Sequence, residues 1–346
     1  MDTKSFLRNL WYYAIPGGAL KPGQTVAKTL LNEPILFGRT RSGDVFALRD
    51  ICPHRGIPLS CGWFDGSEVE CCYHGWRFDA AGQCTAIPGL VDDQTVDRSR
   101  FGVRSYPVRE VQGNVWIYMP IDDKPTEPIG EPPRMPGFED EAYQVVYAMK
   151  FPCYVDHAIS MFVDPLHVPF VHRSWWWRSD VSLEEEVKTF DPAPLGFTMR
   201  RHPLARQTFL YRLIGEKPEI EISLLLPGVR IEQIITDRHR VCNLTTATPL
   251  TETETEVTNL LYTTLPWVPM LRPILTQTTR MFLAQDREVL VKQAQGLKYN
   301  PPLTLVKDPD AQVRWYLQLK AEFARSCSEN RPFVNPVKEQ VLRWRS

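Results

Sequence analysis

No stretch of about 18 consecutive apolar residues occurs in the 346-residue chain, so nothing in it is expected to span a bilayer. An excess of charge of one sign is missing too. Lys and Arg total 40 against 41 Asp and Glu, a formal net charge of −1, which gives no electrostatic reason to expect nucleic acid or an anionic membrane as partner. The first residues, MDTKSFLRNLWYYAIPGG, have neither a long apolar core nor a small-residue cleavage site, so no signal peptide is expected and a cytoplasmic location is. No glycine-rich dinucleotide fingerprint follows a strand pattern, and no dinucleotide site is expected. Cysteine is sparse: eight residues are too few for a disulfide scaffold of this size. Four of them instead gather beside histidines, which points to metal.

Proline is plentiful and locally concentrated. The stretch PIDDKPTEPIGEPPRMPGF, residues 120–138, cannot form a central strand or a helix interior, so residues 121–138 read as a linker between a domain at 1–120 and a second at 139–346. Before the linker, Pro34–Phe37, Val45–Arg49 and Gly113–Met119 alternate as β-strands. After it come strand alternations such as EIEISLLLPGVRIEQIIT and two helical stretches, near 274–297 and 310–326. TETETE, at 251–256, alternates like the solvated edge of a strand.

The segment ICPHRGIPLSCGWFDGSEVECCYHGWRF holds Cys52-x-His54 and, after sixteen residues, Cys71-x-x-His74. A Cys₂His₂ zinc site normally groups its cysteines on one element and its histidines on another. Here each half is mixed, which is the division of a Rieske [2Fe–2S] centre, where two thiolates hold one iron and two imidazoles the other. Gly56 and Gly75 allow tight turns after the histidines, and Pro53 and Pro58 stiffen the first loop. Cys61 and Cys72 break the spacing and, like Cys84, read as small, partly buried thiols.

Two of the chain's seven histidines are thereby used, and three of the other five crowd into residues 154–172 as His157, His167 and His172. Asp164-x-x-His167-x-x-x-x-His172 supplies two imidazoles of the kind a 2-His-1-carboxylate iron site needs. Asp164, one turn before His167, suits holding an imidazole N–H better than ligating. Downstream, the helical stretch places Leu275, Phe282, Asp286, Val289, Leu290 and Leu297 on one apolar face. A carboxylate there needs a cation, either a buried arginine or, preferred here, a ferrous ion. Glu288 falls on the solvent face, and Asp308 and Asp310 at a turn.

CPHRG…CCYHGW, the Asp-x-x-His-x-x-x-x-His run and a late helical Asp together resemble the oxygenase (alpha) component of Rieske non-haem iron oxygenases. Size and layout are similar to the group of vanillate O-demethylase, dicamba monooxygenase and the pheophorbide a oxygenase-like proteins. The resemblance implies an α+β chain: an N-terminal all-β Rieske domain, then a helix-grip (START-like) antiparallel sheet with C-terminal helices. It implies a [2Fe–2S] cluster on Cys52, His54, Cys71 and His74, and mononuclear Fe(II) on His167, His172 and Asp286. It further implies that Asp164 bridges His167 to a cluster histidine, His74, of a neighbouring subunit in a homotrimer. O₂ would be the co-substrate, and a separate reductase, with or without a ferredoxin, would supply electrons from NAD(P)H. The implied reaction is monooxygenation, meaning hydroxylation or oxidative demethylation, of a bulky apolar or aromatic small molecule. Two positions depart from the family: Cys72, where proline is common, and Met161, where asparagine is.

Other features remain open. The tryptophan run in SWWWRS, Trp175 to Trp177, would line a pocket mouth or pack at a subunit interface. Residues 205–265 should form the sheet over the iron, with Leu224 to Leu226 and Leu260 to Tyr262 as pocket walls or as core. Asp156 and His157 read as structural, and His202 and His239, set among arginines, as surface residues. The rival class is a Rieske electron carrier joined to a ligand-binding domain without mononuclear iron; a zinc-stabilised binding protein is a distant third.

Overall fold

The computed structural model describes residues 5–122, 127–172, 184–204 and 214–346. They divide into two compact units, residues 8–134 and residues 135–346 joined by 5–7. The proline-rich stretch up to residue 134 goes with the first unit, where Trp11 Nε1 donates to the carbonyl of Gly130 at 3.0 Å.

The first unit contains eleven strands: β1 (Leu10–Pro16), β2 (Gln24–Leu30), β3 (Glu33–Arg39), β4 (Val45–Arg49), β5 (Trp63–Phe64), β6 (Glu68–Glu70), β7 (Arg77–Asp79), β8 (Cys84–Ala86), β9 (Ser105–Tyr106), β10 (Val108–Val111) and β11 (Asn114–Met119). They form sheets ordered β1-β11-β10, β2-β3-β4-β9 and β5-β6-β7-β8, with antiparallel pairing in each. LWYYAIP and NVWIYM are buried almost throughout, so β1 and β11 read as continuous apolar runs, whereas QTVAKTL of β2 mixes exposed and covered positions. The expected strands fall within β3 and β4 and, apart from Gly113 at the turn, within β11.

Glu33 anchors the first unit's polar interior. Its carboxylate accepts from Arg8 and from the Tyr106 hydroxyl, and Arg104 Nη1 lies 3.4 Å away. Burial works against ionisation of Glu33, but these donors and positive charges outweigh it and leave the group below the usual value of 4.5.

In the second unit β12 (Val145–Phe151), β13 (Glu185–Ala193), β14 (Gly196–Pro203), β15 (Glu219–Leu225), β16 (Val229–Ile235), β17 (Arg240–Thr251), β18 (Glu254–Thr263) and β19 (Gln340–Arg345) make one antiparallel sheet, ordered β12-β18-β17-β16-β15-β14-β13-β19. Thus β13 to β18 form a meander, with the first and last strands added at its two ends. The helices are α1 (Val155–Val163), the single turn α2 (Val168–Val171), α3 (Arg272–Leu297) and α4 (Ala311–Ser328). Among the described residues no helix is long and apolar enough to cross a membrane.

TETETE is not at a sheet edge. It is the hairpin between the central strands β17 and β18, and Thr255 is fully buried, its hydroxyl donating to the Cys153 carbonyl at 2.9 Å. Alternation alone could not distinguish a hairpin from an edge. The expected sheet begins earlier than residue 205, at Val145, and residues 205–213 lie outside the described part. Leu224, Leu226, Leu260 and Tyr262 are buried, and Tyr262 packs against the rings of Phe138 and Tyr143.

Helix α1 lies close on the sheet because Gly228 has no side chain. A Cβ there would meet Ile159 Cδ1 at 2.9 Å and the Ala247 carbonyl oxygen at 3.0 Å. Asp156, in the first turn of α1, is gripped by Lys320 Nζ at 2.7 and 2.8 Å and by the Tyr316 hydroxyl at 2.6 Å, both on α4. The structural reading of Asp156 is thus borne out, and α1 is fixed on two sides.

Since Glu33 is held below its ordinary pKa, the stability it contributes is complete above about pH 4.5 and is lost as pH falls through the lowered value. Glu33→Gln is expected to cost about 2 kcal/mol at neutral pH. The gap to wild type should close only as pH falls through that lowered value, as urea midpoints at pH 7 and at steps well below pH 4.5 would show.

Candidate metal centres

The first site grows from two loops of one design. Cys52 N–H donates to the Ile57 carbonyl at 2.8 Å and Gly56 N–H to the Cys52 carbonyl at 2.9 Å. In the second loop Cys71 N–H donates to Trp76 at 2.8 Å and Gly75 N–H to Cys71 at 3.0 Å. Each loop closes on a left-handed glycine, Gly56 at φ +72° and Gly75 at φ +69°. The loops run between β4 and β5 and between β6 and β7, and Asp50 braces the first by accepting the Ser60 N–H at 2.7 Å and hydroxyl at 2.6 Å.

Both thiols point into the apolar core of this unit, Cys52 and Cys71 beside Leu59, Val69 and Phe78. The histidines sit toward the surface with ring centres 4.5 Å apart, and Trp76 stacks on His54 at 4.7 Å. Burial pushes the Cys52 thiol up to about 11, and the neighbouring Cys71 adds to this, while the N–H groups of His54 and Arg55 oppose it. Such a thiol loses its proton readily only to a metal. His54 Nδ1 is buried without a hydrogen-bond partner, as a metal-binding nitrogen would be.

Cys61 and Cys72 are both exposed rather than partly buried; spacing excluded them as ligands but carries no information on exposure. Cys84 is buried as expected.

The second site forms where α2 meets α3. His167 and His172 bracket α2, whose single turn is closed by Val171 N–H to the His167 carbonyl at 2.8 Å and His172 N–H to Val168 at 3.1 Å. One helical turn brings the two rings together, 5.4 Å between centres. From α3 comes Asp286, 3% exposed, with Leu283 and Leu290 on the same buried line. Ligand atoms of His167, His172 and Asp286 lie within 4.8 Å of one another. His172 Nε2 is 3.2 Å from Asp286 Oδ1 and His167 Nε2 is 3.7 Å from it. Three donors each about 2.1 Å from one ion at right angles would stand about 3.0 Å apart.

The protons are arranged for this. His167 Nδ1 faces the Asp164 carbonyl at 2.7 Å, which only accepts, so that nitrogen carries the proton. Burial holds the His167 pKa down, against the pull of Asp286 and Asp164, so the ring is neutral and Nε2 offers a lone pair. His172 Nδ1 faces Gln285 Oε1 at 2.9 Å. On the other side His172 Nε2 and Asp286 Oδ1, although close, are out of line for a hydrogen bond, and both are buried without a partner. Lone pairs converging without a proton between them are what a cation would satisfy.

Asp164 holds the His167 ring through its main chain. Its backbone carbonyl, not its carboxylate, receives the His167 proton; the carboxylate is 3.9 Å from Nδ1 and accepts the Leu166 N–H at 2.7 Å. Asp164 caps the C-terminal end of α1, which turns the carbonyl toward the ring. Burial raises the pKa of its carboxyl, and Asp310 nearby adds to the rise. Phe282 is 43% exposed and Leu283 is buried in its place, because the buried line of α3 runs through 283, 286 and 290. Phe282 nonetheless stacks on His172, with ring centres 3.6 Å apart. Gln285 escaped the sequence reading, since a glutamine beside an acid on a helix has no pattern of its own. Met161 is nearly buried, Glu288 is exposed and paired with Lys292, and His202 and His239 are half-buried rather than fully on the surface. Trp175 to Trp177 lie outside the described residues.

Residues 10–107 match the Rieske [2Fe–2S] domain family. The oxygenase component of dicamba O-demethylase from Stenotrophomonas maltophilia is 34% identical over 178 residues, 49% of this chain and 49% of that protein. Chloroplastic chlorophyllide a oxygenase from Chlamydomonas reinhardtii is 27% identical over 361 residues, 97% of this chain and 52% of its own length. The chain spans about half the length, or less, of the curated relatives it matches first. The crystal structure of dicamba monooxygenase bound to dicamba has the same fold, with a TM-score of 0.74 over 94% of this chain and 100% of that one at 22% identity. The first unit is therefore a Rieske [2Fe–2S] domain. The resemblance to the oxygenase components of Rieske oxygenases, and with it the α+β fold of Rieske domain and antiparallel sheet, is borne out.

The two loop glycines should respond differently to substitution. Gly56 has open space around a Cβ, but at Gly75 a Cβ would sit 3.2 Å from Pro88 Cγ. Each alanine variant carries a left-handed backbone penalty of roughly 1–2 kcal/mol. Gly75→Ala should in addition displace its loop. It is expected to lose the visible absorption of a reconstituted cluster at lower temperature than Gly56→Ala does.

Proposed function

We propose that the chain is the oxygenase component of a multicomponent Rieske oxygenase, which inserts one oxygen atom of O₂ into a bulky apolar or aromatic small molecule by hydroxylation or oxidative demethylation. The observation that carries this is the convergence of His167 Nε2 on His172 Nε2 and Asp286 Oδ1, the last two buried without a hydrogen-bond partner. These three would hold a ferrous ion, and Cys52, His54, Cys71 and His74 a [2Fe–2S] cluster. Held there, a ferrous ion would supply the chemistry of O₂ activation and the cluster would supply electrons.

The protein's own residues have distinct tasks in this reading. Asp286 brings a carboxylate to a pair of imidazoles. The Asp164 carbonyl fixes the His167 tautomer, and with that contact at one end and its carboxyl group at the other Asp164 is the proposed link from His167 to His74 of a neighbouring subunit in a homotrimer. Phe282, stacked on His172 and partly exposed, offers an apolar surface beside that proposed ligand. Relatives named for dicamba O-demethylation and toluene-4-sulfonate monooxygenation support an aromatic substrate. Without a dinucleotide fingerprint in the chain, electrons from NAD(P)H would come through a separate reductase, with or without a ferredoxin, in the cytoplasm.

A Rieske electron carrier without mononuclear iron would have no use for an orphaned carboxylate between two imidazoles, which disfavours that alternative. Iron and acid-labile sulfide per chain test the choice. Anaerobically purified protein should hold about three irons and two sulfides, and His167→Ala about two irons with the cluster spectrum kept. If both proteins hold only two irons after ferrous reconstitution, the chain is a carrier.

A further inference from the structure

A neutral imidazole has one proton and two nitrogens to place it on, and at His172 both nitrogens face an oxygen. Nδ1 faces Gln285 Oε1 at 2.9 Å; Nε2 faces Asp286 Oδ1 at 3.2 Å. Only the first contact has hydrogen-bond geometry. The ring is 2% exposed, so water cannot settle the competition. We propose that Gln285 is a positioning residue that keeps the His172 proton on Nδ1 and so leaves Nε2 as a lone pair for the ferrous ion. The inference rests on the oxygenase reading of the site.

The two histidines are held by different means. His167 gives its proton to a main-chain carbonyl, which no substitution of a side chain removes. His172 depends on one side chain, and that side chain is the residue next to the ligand Asp286. One step along α3 therefore contributes a ligand and the group that prepares another ligand. With the amide gone, a buried Nδ1–H would have no acceptor, while Nε2–H would gain the attraction of the Asp286 carboxylate. The proton would move to Nε2, and a metal ion would have to displace it. Glutamine can also turn its NH₂ toward Nδ1, whereas an ionised glutamate can only accept. Glutamate at 285 should thus serve as well as glutamine or better, and methionine, of similar shape, should not serve at all.

The test uses Mn(II) as probe, followed by loss of the free-ion EPR signal. The full chain carries its oxidised, diamagnetic cluster and has been stripped of mononuclear metal. Thermal midpoints of the stripped proteins are measured alongside. Wild type should bind one Mn(II) and His167→Ala none; if wild type binds none, the oxygenase reading itself fails. With wild type binding, Gln285→Met is expected to raise Kd by about 10- to 100-fold with little change in thermal midpoint. Gln285→Glu should restore or exceed wild-type affinity. Equal affinity in Gln285→Met and wild type would overturn the inference and leave the metal site standing. Equal weakening in both 285 variants, or a fall in stability that accounts for the weaker binding, would overturn it as well, since either marks a packing role.

Discussion

A carboxylate buried without a hydrogen-bonded proton is the constraint around which the second unit is organised. Asp286 cannot be carried at 3% exposure on a helix face shared with Leu283 and Leu290 unless a cation meets it. The helix, the single turn bearing two histidines and the acceptors behind those histidines all answer that need. The sheet under α1 answers it indirectly: Gly228 admits the helix closely, Asp156 ties it to α4, and the end of α1 then delivers the Asp164 carbonyl to His167. Positioning of a ring nitrogen is thus traceable to a missing side chain in the turn between β15 and β16.

The first unit solves a related problem differently. There the charge to be buried, in the proposed cluster, is that of two thiolates, and the solution is local: two short loops with the same hydrogen bonds and the same left-handed glycine, set between the five-residue β4 and three strands of two or three residues. Nearly everything the loops need lies within the segment from Cys52 to Trp76. The proposed ferrous site instead draws on partners far apart in the chain, and its supporting residues are correspondingly scattered.

That contrast explains what could be read in the sequence. Cys52, His54, Cys71 and His74 were legible because a local site writes its spacing into the chain. His167 and His172 were legible because one helical turn fixes their separation, and Asp286 because an acid on an apolar helix face is conspicuous. The phase of that face was harder: a choice between Phe282 and Leu283 needs the packing, and Phe282 proved to cover a ring while still half-exposed. Gln285 was invisible, since its role depends on a histidine 113 residues away. The Asp164 residue was identified, but its working atom is a backbone carbonyl, which any residue possesses and no motif records. Period-two alternation at TETETE likewise fitted a hairpin between central strands as well as it fitted an edge.

The scattering of the ferrous site has a consequence for folding. Two donors come from the segment before the meander and one from the helix after it, so the three can meet only when the intervening strands have found their register. An unfolded chain offers no such cluster, and an ion that binds only the folded form adds its binding free energy to stability. At a free metal concentration a hundred times Kd the gain is about 2.7 kcal/mol. Iron supply would then set the unfolded fraction of the chain as well as its activity, and a metal-starved cell would hold protein that is easier to unfold and to degrade.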